Sequence, residues 1–521
     1  MALLVGAASL TLPDLFDANV FKTASLSIAA GVILLATSMR NRGLIQDAQA
    51  WFASGAGRLL VASTTIGALG SVSLLSRAAV VDRMLFFLLA QIAAILGWHA
   101  SQRKGSSLTF AIFVAGFVTA STALFQAMGL EQRLTPGPEE IVALSGNSTR
   151  AGLLLGMTLP VAVAGLLNRA GIGKMAFCLT MLNSGALMLT LARGGRWAGA
   201  LGTAMVIGIW WFRQTASDQA IKKRAFLCVM LAIAAGLALA WIVGGDSIWA
   251  AEKLENSASV FSGADPTTEV RLSLWRASEA MAKDALFFGH GLGRFGEVFP
   301  LYREAAEAAL PGLGGAQTRV IHPHNELLLV LCESGAIGLC LWIGLLAATA
   351  WKAGQNLLVR PTSHSLAVGG ILMAGLIGGM VQDGWTSPGT ALPFFAALGW
   401  TWATKRDGTA LEETPPILLR GGVVLFGLSL IILALPRLQT HLGMKNFYQV
   451  AATEGVNRAS LSILAAAAES DPTDYDAQQL MAYWGDQYLA ALEQVDAVAL
   501  ADLLQAIERA KRRVKSLAPE L

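Results

Sequence analysis

Charged side chains are scarce in this chain. Asp, Glu, Lys and Arg make up 14% of its 521 residues, against about 25% in an ordinary soluble domain. With 54% hydrophobic residues beside them, there is too little polar surface to cover a soluble fold of this length, and the deficit points to a polytopic membrane protein. Cysteine is also rare. Cys178, Cys228, Cys332 and Cys340 all lie in apolar runs. None has metal-ligand spacing and none sits in a loop suited to a disulfide, so they are expected to be packing residues. The net charge of +3 is too small for a nucleic-acid-binding surface. The first apolar run lacks a basic start and a small-residue cleavage site, so no cleavable signal is expected. Tyrosine occurs five times, whereas glycine occurs 54 times; small residues let membrane helices approach closely.

Apolar segments near the roughly 20 residues needed to span a bilayer fall at 19–39, 58–76, 84–101, 107–128, 151–168, 175–192, 196–212, 226–244, 325–350, 365–383, 389–404 and 418–436. The opening run Ala2–Leu12 is too short for a clear span, so about 12 or 13 transmembrane helices are expected in an all-α polytopic membrane protein. Lys and Arg concentrate in alternate loops: Arg40 and Arg42, Arg103 and Lys104, Arg169 and Lys174, Arg213 with Lys222–Arg224, Lys352 with Arg360, and Lys405 with Arg406. The positive-inside rule makes that face cytoplasmic. The long interval 245–324, the segment 129–150, the turn 193–196 and the loop 384–388 then fall outside.

The division expected is a membrane domain over residues 1–436 and a small external domain over 437–521. The latter is Ala-rich with helical periodicity, broken at Asp471-Pro472. Its helix–Asp-Pro–helix pattern is tetratricopeptide-like, with too few units to make a repeat.

The chain is organised around Ile321-His-Pro-His-Asn-Glu326, at the mouth of the apolar run that continues to Trp342. Polar groups at such a boundary are costly and usually functional, and histidine moves protons near neutral pH. His322 and His324 could share a metal with a carboxylate from elsewhere, but the zinc spacing HEXXH is absent. The better reading makes His324 a general base and Asn325 a neighbour that orients the substrate. Arg193 and Arg196 flank two glycines between spans. They would either clamp an anion such as phosphate, with backbone amides approaching through the glycines, or snorkel to headgroups. Arg271 and Trp275 lie on a helical stripe with Ser278 and Met281. Arg271 is a second phosphate clamp or a surface charge paired with Glu269 or Glu279. Asn147 either orients sugar hydroxyls or caps the helix that follows. Gly289-His-Gly-Leu-Gly-Arg-Phe-Gly296 has no preceding strand, which rules out a dinucleotide loop and leaves a tight loop shaped by glycines.

His324-Asn325, followed after nine apolar residues by Gly335-x-x-Gly338, resembles the signature of the bacterial O-antigen ligase, O-antigen polymerase and O-oligosaccharyltransferase superfamily. The preceding His-Pro, the Glu333-Ser-Gly335 turn, the Arg-Gly turn, the Arg-x-x-x-Trp helix and the Gly-x-Gly-x-Phe segment match in order. The resemblance covers roughly 140–345. It implies a GT-C-like glycosyltransferase of the bacterial inner membrane, acting at the periplasmic face without metal or other cofactor. The donor it implies is a glycan on undecaprenyl diphosphate. The acceptor would be lipid A–core, another lipid-linked glycan, or Ser or Thr of a protein. Carried over by position, Arg193 and Arg271 hold the diphosphate and His324 is the base, with Arg196, Asn147, His322, Asn325 and Trp275 around the substrate. Two departures touch the acceptor and the first clamp: Ala192 stands where the family often has Ser, and Leu339-Cys340 where ligases often have Thr. A transporter is the competing class. It predicts charged or broken helices near mid-bilayer and internal repeats, whereas here the polar clusters sit at helix ends and no repeat is evident.

Overall fold

The computed structural model describes residues 18–37, 42–70, 77–102, 106–130, 141–143, 145, 147–168, 173–213, 219–244, 266–303, 320–359, 362–404, 417–492 and 500–517. Every regular element among them is helical, and the chain is an all-α polytopic membrane protein. The run Ala2–Leu12 lies outside the described residues, as do parts of the interval 245–324. In chain order the helices are α1 (Ala18–Thr37), α2 (Arg42–Ala53), α3 (Gly55–Gly70), α4 (Arg77–Gln102), α5 (Ser106–Ala127), α6 (Ser148–Leu167), α7 (Gly173–Leu189), α8 (Arg193–Arg213) and α9 (Gln219–Gly244). They continue with α10 (Pro266–Asp284), α11 (Glu326–Val359), α12 (Ser363–Val381), α13 (Pro388–Trp402), α14 (Ile417–Glu454), α15 (Arg458–Ser470), α16 (Tyr475–Ala490) and α17 (Ala501–Leu517).

Seven of the described helices are long and apolar enough to cross a membrane. Together with α1, α3, α7, α8 and α13 they coincide with the twelve apolar segments of the sequence. They run up and down. α1, α4, α6, α8, α11 and α13 begin at the end that carries the His-Pro-His segment, α3, α5, α7, α9 and α12 finish there, and α14 runs past it. The short α2 was not foreseen. It lies at the opposite end, where Asp47 meets His99 of α4 at 2.5 Å and Trp51 donates to Gln91 at 2.6 Å.

α6 is the centre of the bundle. All but three of its residues are buried, and it packs against α7, α8 and α12. Its closest neighbour is α8, and the reason is a pair of small-residue stripes. Gly152 and Gly156 of α6 face Gly195 and Gly199 of α8 so tightly that a Cβ at Gly195 would lie 2.3 Å from the Gly152 carbonyl carbon. Close backbone approach of this kind supplies packing where lipid leaves no hydrophobic drive between helices. α9, by contrast, buries only Ala225, Val229, Ala232, Gly236 and Ala240 and runs along the outside.

α11 is broken at Gly335, where φ is +66° and ψ −172°. The break exposes backbone groups that the glycine-rich loop takes up. His290 N–H donates to the Cys332 carbonyl (2.8 Å) and Gly291 N–H to that of Glu333 (3.0 Å), while Ala336 N–H donates to the carbonyl of Leu286 (2.7 Å). Gly289, Gly291 and Gly293 all have positive φ, a region closed to most side chains. A side chain at Gly335 would meet the Phe287 backbone at 2.3 Å. The two glycine motifs are therefore one backbone junction. On the other side of the loop Leu292 N–H donates to Gly67 of α3 (3.0 Å).

α14 runs without interruption from the bundle into the C-terminal part. There Met444, Phe447, Leu461, Leu464, Met481, Leu503 and Ile507 form a separate apolar core. α15 begins with a capping box between Asn457 and Ser460, and Asp474 caps α16. This domain is latched to the bundle by Arg437. Its guanidinium meets Asp82 of α4 at 2.5 Å and Asp471 at 3.1 Å, and it also contacts Asp474.

The cysteines divide. Cys332 is buried and its thiol donates to the Ser278 carbonyl of α10 (3.3 Å), as a packing residue does. Cys178 and Cys340 are exposed on spanning helices instead, because their helix faces look outward from the bundle.

Candidate active site

The site is built where the starts of α6, α8 and α11, the α12–α13 connection and α10 come together. The segment 320–325 leads into α11, and His324 adopts φ +53°. Non-glycine residues avoid that conformation, and where it persists the surroundings must over-determine it. Two contacts do so. Trp275 of α10 donates its Nε1–H to the Pro323 carbonyl at 3.0 Å. Asn325 caps α11, its Oδ1 accepting from Leu327 N–H (3.0 Å) and Leu328 N–H (3.2 Å). The chain thereby leaves His324 exposed, at the start of α11.

Asp383 organises the charge around it. It sits in the α12–α13 connection and accepts from Arg150 Nε (2.9 Å) and Nη2 (2.7 Å) in the first turn of α6. Burial alone would push the Asp383 carboxyl up, but the Arg150 guanidinium outweighs it and holds it well below the usual carboxylate range. The same connection is pinned from below. The buried Glu326 carboxylate accepts from Trp385 N–H (3.0 Å), Thr386 N–H (2.9 Å) and the Thr386 hydroxyl (2.7 Å). Arg83 of α4 pairs with Glu333 at 3.1 Å, two residues before the Gly335 break.

Both histidines are held neutral. His324 is exposed as a residue, yet the protein around it still desolvates its imidazole. That desolvation lowers its pKa, Asp383 opposes the shift, and Arg271 and Arg150 reinforce it. His322 is pushed down to about 3 by burial, against Asp383 and with Arg83, Arg150 and His324. Its Nδ1 is buried without a hydrogen-bond partner among the described residues. A neutral imidazole with an open ring can accept a proton, as a general base must.

The sequence-derived candidates sort by location. Arg271 lies on α10, close enough to act on His324 electrostatically. Glu279, one of the two partners considered for it, pairs with Lys283 instead (2.8 Å). Arg193 and Arg196 are not in a turn, because α8 begins at Arg193. The turn falls at Leu191, whose φ is +53°. Arg196 spends one Nη2–H on the Leu191 carbonyl (2.8 Å) and keeps a buried Nε without a hydrogen-bond partner among the described residues. Gly194 lies against Gln382, next to Asp383, which brings the start of α8 to the same place. The two glycines, read as openings for phosphate, are helix-packing positions. Asn147 caps α6: its Oδ1 accepts from Thr149 N–H (2.9 Å) and Arg150 N–H (3.3 Å). Asn147, Asn325 and Trp275 thus shape the site by holding backbone.

Sequence reasoning missed Arg150, Asp383, Arg83 and Glu326. Arg150 lies three residues after Asn147, the residue that caps α6. Asp383 is an acidic residue at the apolar end of a span, which is itself a signal. Nothing in the sequence pairs Arg83 with Glu333 across 250 positions.

The fold and this arginine-flanked histidine at helix ends define a polytopic membrane protein with a polar centre at one face. Residues 176–343 match the family model described as O-Antigen ligase. That stretch runs from α7 into α11 and contains Arg193, Arg271, Trp275, the glycine loop and the His-Pro-His-Asn motif. The match supports the O-antigen ligase superfamily, and with it glycosyl transfer of the O-antigen ligase or polymerase type on lipid-linked glycan substrates in a membrane. No curated protein matches the chain.

Proposed function

We propose that the protein transfers a glycan from undecaprenyl diphosphate to an acceptor hydroxyl at the periplasmic face of the inner membrane, with His324 as base and Arg271 and Arg193 on the diphosphate. One observation carries this reading: an exposed histidine stands in a strained backbone position among arginines contributed by distant parts of the chain. The acceptor oxygen attacks the anomeric carbon and gives its proton to His324. The carbon–oxygen bond to phosphate breaks, the electron pair leaves with the diphosphate, and the anomeric centre inverts. Negative charge grows on the leaving group in the transition state, and fixed guanidinium groups in a partly dehydrated site stabilise it. The periplasmic orientation is supported by the opposite end of the bundle, where Arg42, Lys174, Arg213, Lys222, Lys223, Arg224 and Lys352 gather at helix ends.

The test is surface glycan in a deletion strain complemented with His324→Ala or Arg271→Ala. Glycan should disappear while the protein stays in the membrane fraction; wild-type glycan from both variants ends the assignment. The lipid intermediates in the deletion strain fix the acceptor: long lipid-linked chains identify a ligase, single lipid-linked repeats a polymerase.

A further inference from the structure

The polar cavity beside His322, which Asp82, Arg437, Asp474 and Tyr475 line from the domain junction, belongs to the end that carries the candidate site. A second cavity, of about 210 Å³, lies within the bundle and has the opposite chemistry. α8 and α11 each pack against α12, and the space between them is a crevice. Gly369 of α12 floors it, Met205 and Ile209 of α8 form one wall, and Ala350, Ala353 and Gly354 of α11 form the other. It opens on the outside of the bundle, since Ala350 is exposed and Met205, Ile209 and Gly354 are half-buried. α11 and α12 are apolar helices of spanning length, so the medium at the opening is lipid. Gly369 lies in the half of α12 remote from His324, with about 18 Å of helix between it and Val381 at the Asp383 end.

The lining carries one polar side chain, Thr349, whose hydroxyl accepts from Trp402 Nε1–H (3.0 Å). A bound water needs about two to four polar partners, and the crevice does not provide them. An acyl chain needs none. Glycine supplies the room for it: a Cβ added at Gly354 would meet nothing within 4 Å. The mouth supplies charge. Arg213 is exposed and stands four residues after Ile209, on the same side of α8. It makes no hydrogen bond or ion pair among the described residues. Phe212 beside it is 87% exposed. Trp211 meets Phe226 with ring centres 5.7 Å apart, which brings Lys222, Lys223 and Arg224 at the start of α9 beside the end of α8. Asp218 is the only Asp or Glu in residues 141–244. Positive charge is therefore in surplus at this mouth, and basic clusters at the ends of spanning helices attract anionic headgroups.

We propose that the crevice between α8 and α11 binds an anionic phospholipid of the leaflet remote from His324, cytoplasmic in the proposed orientation. One acyl chain lies over Gly369 between Met205 and Gly354, and the headgroup phosphate pairs with Arg213. The lipid completes the packing where α8 and α11 leave a gap, and so steadies α8, the helix that begins with Arg193. The site does not depend on the transferase reading, because none of its residues belongs to the cluster around His324.

The experiment uses the full-length protein, delipidated in detergent, with phosphatidylglycerol or phosphatidylcholine of the same chain length added back. Binding is read by native mass spectrometry and stability by thermal unfolding. The wild type should hold one phosphatidylglycerol and melt higher as that lipid is added, because a ligand of the folded state stabilises it. Gly354→Phe fills the crevice from the position with most room. It should bind phosphatidylglycerol about tenfold more weakly, the worth of two buried methylenes, and lose the rise in melting temperature, while its lipid-free melting temperature does not fall. Ala350→Phe, at the exposed rim, asks the same question should Gly354→Phe not fold. Arg213→Gln leaves the crevice intact and should weaken phosphatidylglycerol binding about fivefold, the worth of one basic residue beside an anionic lipid, with phosphatidylcholine unaffected. Wild-type lipid retention in both crevice-filling variants overturns the site. Equal binding of the two lipids by the wild type overturns the pairing with Arg213. Displacement of the bound phosphatidylglycerol by undecaprenyl diphosphate overturns the phospholipid in favour of a prenyl tail.

Discussion

Around the His-Pro-His segment Arg83, Arg150, Arg193, Arg196 and Arg271 gather with Asp383, Glu326 and Glu333, whereas at the domain junction one arginine, Arg437, meets Asp82, Asp471 and Asp474. The two centres lie at the same end of the bundle and share the cavity beside His322. Their charge balance is opposite. The first has more guanidinium than carboxylate and therefore suits an anion that arrives and leaves. The second is over-supplied with carboxylate around a single cation, so it is closed as a latch. A buried pair broken on one side leaves an uncompensated charge, which makes the latch intolerant of change. The comparison teaches that arginine number alone does not mark a phosphate site; the surplus over local carboxylate does.

Four outcomes break or sharpen this contrast. The largest effect belongs to His324→Ala, expected to lower transfer by about 10²–10⁴-fold, the usual worth of general base catalysis, with thermal unfolding of the detergent-solubilised protein unchanged. A parallel fall in melting temperature would make His324 a structural residue. Arg437→Ala should do the reverse, costing about 3–5 kcal/mol and loosening the C-terminal core from the bundle, so that limited proteolysis cuts within α14 near the lost latch. A protease-resistant variant would mean that apolar contacts, and no charge latch, hold the domain. Arg271→Ala should reduce transfer by about 10²–10³-fold, as loss of one oxyanion donor does, without loosening the fold. The smallest effect is expected from Trp275→Phe, which deletes only the bond to Pro323. It should cost about 1 kcal/mol, seen as a several-fold slower transfer at unchanged binding of undecaprenyl diphosphate.

The pH profile sharpens the same point. His324 must be neutral to accept a proton, and its pKa lies below the ordinary histidine value. The acid limb of transfer should therefore fall below about pH 6.5. Arg271→Ala removes a cation that depresses the pKa, so the residual activity of that variant should show its acid limb shifted upward. An unshifted limb would place Arg271 out of electrostatic reach of His324. Asp383 gives the stability counterpart. Its folded pKa is depressed, so its contribution is present above the unfolded value and is lost as pH falls through the folded one.

Much of the bundle was legible. Long apolar runs separated by basic loops mark spans without reference to neighbours, because each span must satisfy its own backbone in lipid. The His-Pro-His-Asn motif also stood out, as a polar cluster at a span boundary. What escaped were relations between distant positions. The Arg193-Gly-Gly-Arg196 stretch reads as a turn, since glycines favour turns, yet it opens α8 because Gly195 must pass Gly152. Asn147 and Asn325 carry the same polar amide whether they bind a substrate or cap a helix, and only the position of the following N–H groups decides. Asp383 and Arg150 are 233 residues apart, so no local pattern joins them.

Composition and periodicity alone determined that this chain crosses a membrane many times and places its histidines at a helix mouth. Those properties depend on transfer of each segment into lipid, which is local and additive. Which arginines stand beside which carboxylates, and that the C-terminal domain walls the space next to His322, was decided by tertiary structure. Charge coupling depends on distance in space, and helix crossing sets that distance after the sequence has been read.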